Sequence, residues 1–555
     1  MIHPILRKPG TAGNYSFGKP ASISLNIDDK TLLQKREEIF GSKFVTDGDV
    51  VVTAVLNNTE KLCYIDEIFK LTDEKYILNI SEHGGKVYIG LEYSGRRSLW
   101  YALNAVEKMA GRGEFPLGET VDYPLFDRRG FIEGFYGTTW QFEQRKDILT
   151  LMARNNMNTF YYAPKDDPYH RRLWAEMYPE DELQNLKILV DLAADLAIDF
   201  HYCVAPGLSI KYADADDHAA LLEKTKQLYS IGVRNFGLLL DDIPSELAND
   251  EDKARFGDTV SAHIYLVNRY YDMIKSVDSG NRLTVCPMEY HGKGNGYYIS
   301  KLGNGMPPEA DLFWTGAKIC SMEITLPEAV RFIDATSHRP LYWDNFPVND
   351  AEMVNEMHLG PIIGRDPDLY KYTRGIISNC MEYFECTKIP LLTIADYLWN
   401  PLVYDSAKSY DNALDQIIGS ENREIFKYFA DHLKTSCLDD ANSLMMSDLL
   451  GASAVKLQKG QYVEAFDDIK AYLENMKKCA ELLKNGTEPI YKELKRWSGK
   501  FILCVEILEL CVRFLEDGED ELEDKIKELD YKYNGDPTVL TGFCFKEFVM
   551  FAVYK

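Results

Sequence analysis

Asp241 and Asp242 stand side by side directly after the apolar run Phe236 to Leu240, and the chemistry open to such a pair is proton transfer. Adjacent carboxylates repel, so their pKa values are driven apart: one stays ionised while the other holds a proton near neutral pH. That is the pairing glycosidic cleavage needs. Consecutive strand residues point to opposite faces, so both carboxylates can enter one site only where the strand gives way to a loop. Ile243-Pro244 supplies that break. Taken alone, an Asp-Asp pair after a strand is more often a helix cap or a metal ligand than a catalytic dyad. The second pair, Asp166-Asp167, reads as a turn set by Pro168 that anchors Arg171 or Arg172. Lys165 beside it is either a hydrogen-bond donor to sugar hydroxyls or half of a surface salt bridge. Trp343 and Tyr290 either face a sugar ring or belong to the core. The glycine-rich stretch His291 to Gly296 invites comparison with a phosphate loop, but no helix of suitable spacing is expected after it, so it reads as a mobile loop at the mouth.

These residues need a scaffold that delivers them to one place. From Phe126 to about residue 430, short apolar strands alternate with helical stretches such as 144–155, 182–197 and 219–230. The strands are expected at 130–135, 159–163, 200–205, 236–240, 283–287, 312–315, 341–343 and 375–378. Eight β-α units over this length are what a (β/α)8 TIM barrel requires, and its active site forms at the C-terminal strand ends. Seven of those ends carry polar groups, among them Glu133 to Gly137, Lys165 to His170, Asp241-Asp242, Glu289-Tyr290, Thr315, Asp344 to Asp350 and Ser378-Asn379.

Residues 1–125 read as an α+β domain. It has strands at 21–27 and 50–56, a hairpin from Tyr76 to Leu91, and a helix from Ser98 to Ala110 ended by Gly111. Residues 126–430 form the catalytic barrel, and residues 431–555 a helical bundle with helices at 462–483, 490–515 and 520–529. The acidic run Glu516 to Asp524 is a solvated face.

The net charge of −25 repels polyanions, which argues against nucleic acid or an anionic membrane as partner and favours a neutral substrate. No signal peptide is visible behind Met1 to Lys8, and no run reaches the roughly 18 apolar residues of a membrane span. The 11 cysteines read as reduced core residues, which points to the cytoplasm. None of the ten histidines has metal-ligand spacing, so neither a metal nor another cofactor is expected. Sequons at Asn14, Asn57, Asn79 and Asn485 carry no weight.

Across the barrel the chain closely resembles glycoside hydrolase family 84. The matching segments are Glu133 to Gly137 with Trp140, Tyr162 to His170, Leu240 to Ile243, Trp314 to Gly316, Trp343 to Asn345 with Asp350, Ser378-Asn379, and Thr393 to Pro401. Thr139 and Cys380 stand where many members have proline, which bears on loop shape and subsites. The resemblance implies an exo-acting, retaining β-N-acetylglucosaminidase in which the substrate's 2-acetamido oxygen attacks and forms an oxazoline, an exception to the two-carboxylate scheme. By position, Asp241 would accept the acetamido N–H, and Asp242 would act as acid and then base. Tyr290 would hydrogen-bond the acetamido group, and Asn345 would position that group or its carboxylate partner. Asp350, Asn379, Lys165 and the Gly134 carbonyl would hold hydroxyls, while Tyr136, Cys286, Thr315 and Trp343 would wall the acetyl pocket. The partner would be a glycan or glycoprotein bearing N-acetylglucosamine. Three alternatives stay open: an endo-glycosidase of hyaluronidase type, a silent sugar-binding protein, and a metal-dependent hydrolase.

Overall fold

A run such as Phe236 to Leu240 has no polar side chain to turn outward, so it belongs in a parallel sheet covered on both faces. The computed structural model describes residues 7–27, 29–65, 70–439 and 443–554, and in it eight such runs close into a parallel barrel. The strands are β1 (Arg128–Glu133), β2 (Thr159–Tyr162), β3 (Asp199–Val204), β4 (Asn235–Leu239), β5 (Arg282–Cys286), β6 (Asp311–Trp314), β7 (Pro340–Asp344) and β8 (Gly375–Asn379). They pair in that order, and β1 closes on β8. The expected strands match these to within two residues. The three expected helices are Phe142–Arg154, Glu180–Asp195 and Ala215–Ser230. The last begins four residues earlier than expected because Asp214 caps it, accepting from Asp216 N. Inside the barrel, Ile132, Tyr161, Leu239, Phe313, Leu341 and Ile377 fill one buried cluster.

Before the barrel, a five-stranded sheet runs in the order Ile23–Asn26, Val50–Leu56, Lys86–Tyr93, Tyr76–His83, Gly118–Asp122. The hairpin turns at Gly84-Gly85, both with positive φ. The helix expected to stop at Gly111 runs over Arg96–Arg112 instead, because Gly113, at φ 68°, is the left-handed residue that ends it. A helix not anticipated, Lys30–Phe40, is capped by Asp29.

The last barrel strand ends at Asn379, and from Phe384 onward only helices follow among the described residues. The long C-terminal helices are Leu444–Gln458, Tyr462–Asn485, Lys495–Asp517, Asp520–Gly535 and Phe543–Val553. They pack on the barrel of the same chain: Leu359 N donates to Leu433 O at 3.0 Å, and Trp497 Nε1 to Asn355 O at 3.1 Å. The run Glu516 to Asp524 is largely exposed, as expected. A second correction concerns His291 to Gly296, which leads straight into the helix Tyr297–Gly305 with Gly296 as its N-cap. The eleven cysteines are all unpaired, and among the described residues no helix is long and apolar enough to cross a membrane. Met1 to Leu6, on which the signal-peptide reading partly rested, lie outside the described residues.

The N-terminal region grips the barrel through a buried ion pair at the base of β1. The Arg129 guanidinium, wholly buried, donates to both oxygens of Glu74 at 3.0 and 3.1 Å and to the Tyr101 hydroxyl at 2.9 Å. Burial alone would raise the Glu74 carboxyl, but Arg129 and Arg97 outweigh it and hold it down at about 2. Its stabilising share is therefore present above the ordinary carboxylate range and fades as pH falls toward that value. Glu74→Ala leaves Arg129 charged and uncompensated, so urea unfolding is expected to show a loss of about 3–5 kcal/mol. A loss under about 1 kcal/mol, the scale of a surface pair, would show that the pair does not join the two regions.

Candidate active site

The C-terminal ends of the strands open onto a cavity of about 700 Å³ lined by residues at or just beyond the ends of β1, β2, β4, β5, β6, β7 and β8. Its floor is the top of the barrel core, since Cys286 and Trp343 belong to the buried interior cluster and Tyr290 packs against it. The Trp343 and Tyr290 rings thus both pack at the core and line the cavity. Gly134, in the wall, has no room for a side chain: a Cβ there would lie 2.7 Å from Trp343 Cζ2.

β4 ends at Leu239, and the two carboxylates follow on irregular backbone. Asp242 has φ 53°, a left-handed conformation that aspartate tolerates better than most residues. This turn breaks the alternation of the strand. Asp241 points inward, its side chain 10% exposed, and Lys165 Nζ lies 3.2 Å from its Oδ2. Burial alone would push the Asp241 carboxyl up, but the Lys165 ammonium holds it below the ordinary aspartate value. The salt bridge read as a surface alternative for Lys165 exists, but it is buried and joins the end of β2 to the end of β4.

Asp242 is exposed at the mouth and accepts two phenol hydroxyls, Tyr136 on Oδ2 at 2.7 Å and Tyr290 on Oδ1 at 3.2 Å. Burial pushes both phenols above their ordinary value, so they remain donors. Tyr136, expected among the walls of an acetyl pocket, thus lines the cavity from its mouth. Its backbone N–H donates to Asp350 at 2.8 Å, which offsets part of the upward push of burial on that carboxyl. Arg171, which sequence reasoning left as a turn anchor, donates to the Tyr136 hydroxyl at 2.9 Å and to the Asp242 carbonyl at 3.3 Å.

Asp166 and Asp167 do form a turn, as expected, but its anchors are not arginines. Asp167 accepts the hydroxyls of Tyr162 and Tyr178 and the N–H of Tyr169. On the opposite wall Asn345 is a hub. Its Oδ1 accepts from Trp343 Nε1 at 2.9 Å and Asn379 Nδ2 at 3.1 Å, and its Nδ2 donates to Ile319 O at 2.9 Å. Asn379 Oδ1 is buried without a hydrogen-bond partner among the described residues. Thr315 is held by its N–H on Tyr290 O and its hydroxyl on Lys318 O. Asp344, although at a strand end, is used structurally, paired with buried Arg365. The loop residues Ala317 to Cys320 and Ala351 to Met353 complete the lining and were not singled out from sequence. Among the described residues, no group of three or more His, Cys, Asp or Glu is placed to hold a metal ion.

A parallel barrel with consecutive carboxylates and an aromatic-floored cavity at its C-terminal face has the layout of a glycoside hydrolase. Residues 129–431 match the family model described as beta-N-acetylglucosaminidase. The protein O-GlcNAcases of Rattus norvegicus and Mus musculus are each 31% identical over 274 residues, 48% of this chain and 29% of theirs. The matched segment thus spans under a third of those relatives. A mutant of the Thermobaculum terrenum O-GlcNAc hydrolase superposes with TM-score 0.74 at 29% identity, covering 77% of this chain and 95% of that one. A structure named CpGH84B, at 24% identity, shares the whole fold with TM-score 0.84 and full coverage of both chains. The chain belongs to the β-N-acetylglucosaminidases of glycoside hydrolase family 84.

The Lys165–Asp241 pair sets the expected pH behaviour. With Lys165→Met, burial of Asp241 is opposed only by the weaker pull of Arg171 and a backbone N–H, and its pKa rises. The acid limb of kcat/KM, which reports the free enzyme, is expected to move up by about one unit or more. Profiles that superpose for variant and parent would mean that Asp241 does not set that limb.

Proposed function

We propose that the chain is an exo-acting, retaining β-N-acetylglucosaminidase that works by substrate assistance on a glycan or glycoprotein bearing terminal β-linked N-acetylglucosamine. The observation that carries this reading is the Asp241–Asp242 turn, one carboxylate buried against Lys165 and the next exposed beneath two phenol hydroxyls. A carboxylate held ionised and inward suits a partner for the acetamido N–H. A neighbour facing the mouth suits proton exchange with the departing group.

In the proposed reaction the acetamido oxygen attacks the anomeric carbon while the aglycone oxygen leaves with the proton of Asp242. Asp241 accepts the acetamido N–H and balances the positive charge that grows on the closing oxazoline ring. Water then adds to the anomeric carbon from the face the aglycone left, giving its proton to Asp242, and the acetamide re-forms with the configuration retained. As Asp242 loses its proton, the Tyr136 and Tyr290 hydroxyls donate to the new charge, an interaction strengthened along the reaction path. Tyr290, assigned to the acetamido group by resemblance, lies close enough to Asp242 to serve it in the resting site.

The remaining residues would bind. Asn379 Oδ1, buried and unpartnered, suits a sugar hydroxyl, whose O–H would supply the missing donor. Asp350, Lys165 and the Gly134 carbonyl would serve further hydroxyls, Asn345 would position the acetamido group or its carboxylate partner, and Cys286, Thr315 and Trp343 would receive the acetyl methyl. A cavity closed below by the barrel core supports recognition of one terminal sugar.

Hydrolysis of an aryl β-N-acetylglucosaminide in excess chelator is expected to slow sharply when the acetamido group is trifluorinated. Asp241→Asn is expected to slow every substrate, by about 10²–10⁴-fold. Asp242→Asn is expected to spare substrates whose leaving groups are very acidic. Insensitivity to fluorination would reveal an enzyme nucleophile, equal losses in both variants would abolish the division of roles, and oligomeric products from polymer digests would show endo cleavage.

A further inference from the structure

Outside the cavity lining, a chain of buried hydrogen bonds leads to the loop that carries Tyr290. The phenol oxygen of Tyr298, on the helix Tyr297–Gly305, accepts the backbone N–H of Met288 at 3.2 Å. The same oxygen lies 2.7 Å from Nδ1 of His263, on the helix Thr259–Val277. His263 Nε2 in turn lies 3.0 Å from the hydroxyl of Tyr212, in the loop after β3. The backbone N–H groups of Tyr212 and Ala213 donate at 3.0 and 2.7 Å to the carboxylate of Asp252, on the helix Asp250–Phe256. Tyr298, His263, Tyr212 and Asp252 are all buried. Together they tie the loops after β3 and β5 to the two helices that follow Asp242.

A neutral imidazole has one donor and one acceptor, and burial holds His263 down at about 4, so the ring is neutral over the ordinary range. Set between two phenols, it accepts from one and donates to the other, and the run from Tyr212 to Tyr298 is continuous. None of these side chains lines the cavity. What they reach is the backbone two residues before Tyr290, on irregular chain after β5. Pro287 has no N–H to give, so Met288 supplies the anchor on that side. On the other side the Tyr290 carbonyl accepts from Thr315 N at 2.9 Å.

We propose that Tyr298 and His263 are positioning residues that act through Met288 to aim the Tyr290 hydroxyl at Asp242. That contact spans 3.2 Å, against 2.7 Å for Tyr136 on the same carboxylate. Hydroxyl hydrogen bonds weaken beyond about 3.0 Å, so a small displacement of the loop removes Tyr290 from Asp242 and leaves Tyr136 in place. The cost falls where negative charge appears on Asp242, in protonation of a poor leaving group. This role rests on the glycosidase reading above; the anchoring of the loop does not.

Tyr298→Phe keeps the ring and removes the oxygen that both Met288 and His263 use. Its kcat on an aryl β-N-acetylglucosaminide with a poor leaving group is expected to fall about tenfold, as a misplaced group would cost. KM should change little, and a very acidic leaving group should be nearly spared. In a Tyr290→Phe background the same substitution should cost nothing further, because the hydroxyl it aims is already gone. His263→Asn, which keeps a polar atom facing Tyr298, should retain more kcat than His263→Leu. Amide hydrogen exchange, read by mass spectrometry, should quicken in Tyr298→Phe over residues 287–291 and not across the barrel strands. Equal losses on all leaving groups, losses that multiply in the double variant, or unchanged exchange over 287–291 would overturn the proposal. Equal kcat in the two His263 variants would remove His263 from it. If the parent turns over no glycoside, the glycosidase reading fails, and the exchange result alone decides whether Tyr298 anchors the loop.

Discussion

A regular strand cannot present consecutive side chains to the same pocket, and the geometry of this site follows from how the chain escapes that rule after β4. Asp242 adopts φ 53°, a conformation that costs about 1–3 kcal/mol where the surroundings do not hold it. Here they do. Leu240 N is tied to Cys286 O at 2.9 Å, Arg171 reaches the Asp242 carbonyl, and two phenols reach its carboxylate. The turn gives two chemically identical neighbours different environments, one buried beside a cation and one exposed beneath neutral donors.

The turn alone would leave Asp241 buried and uncompensated, which is far costlier than the strain. Lys165 must therefore be placed with equal care, and its position follows from the turn at the end of β2. Asp167 fixes that turn by accepting from Tyr162, Tyr178 and Tyr169, so a motif with an ordinary structural reading also positions the cation that sets the charge state of Asp241. The other wall is organised by Asn345, which ties residues of β7, β8 and the loop after β6 into one hydrogen-bonded unit. A fully connected unit of this kind holds rings and amides in fixed orientation, leaving Asn379 Oδ1 as the acceptor still to be used.

The barrel strands could be read from sequence because parallel strands buried on both faces leave continuous apolar runs, of which Phe236 to Leu240 is the clearest. Strand ends then located the cavity residues, since a barrel delivers those positions to one face. Other features carried no such pattern. The helix Lys30–Phe40 buries Arg36, a residue that reads as surface, so its buried face looked polar. The helix Phe384–Trp399 is buried on nearly all sides and has no 3.6-residue alternation to detect. Helix Tyr297–Gly305 starts at a glycine cap and was hidden behind a glycine-rich loop. The contacts that define the site join residues 76 and 106 positions apart, Lys165 to Asp241 and Tyr136 to Asp242, and no local signal encodes such a pairing.

Charge plays different parts at the two scales of this molecule. A net charge of −25 surrounds a cavity in which Lys165 and the neighbouring Arg171 stand among Asp241, Asp242 and Asp350. A neutral sugar gains little from the outer field, which instead repels polyanions, and it would be held by amides, hydroxyls and backbone carbonyls. The ionised groups inside are already spent on one another: Lys165 on Asp241, and Arg171 on the phenol that serves Asp242. Such arrangements contribute little to ground-state affinity and much to fixing where charge can appear during a reaction. Removing an ionised group from this cluster should therefore impair kcat more than KM, whereas removing an Asn345 contact should disturb both.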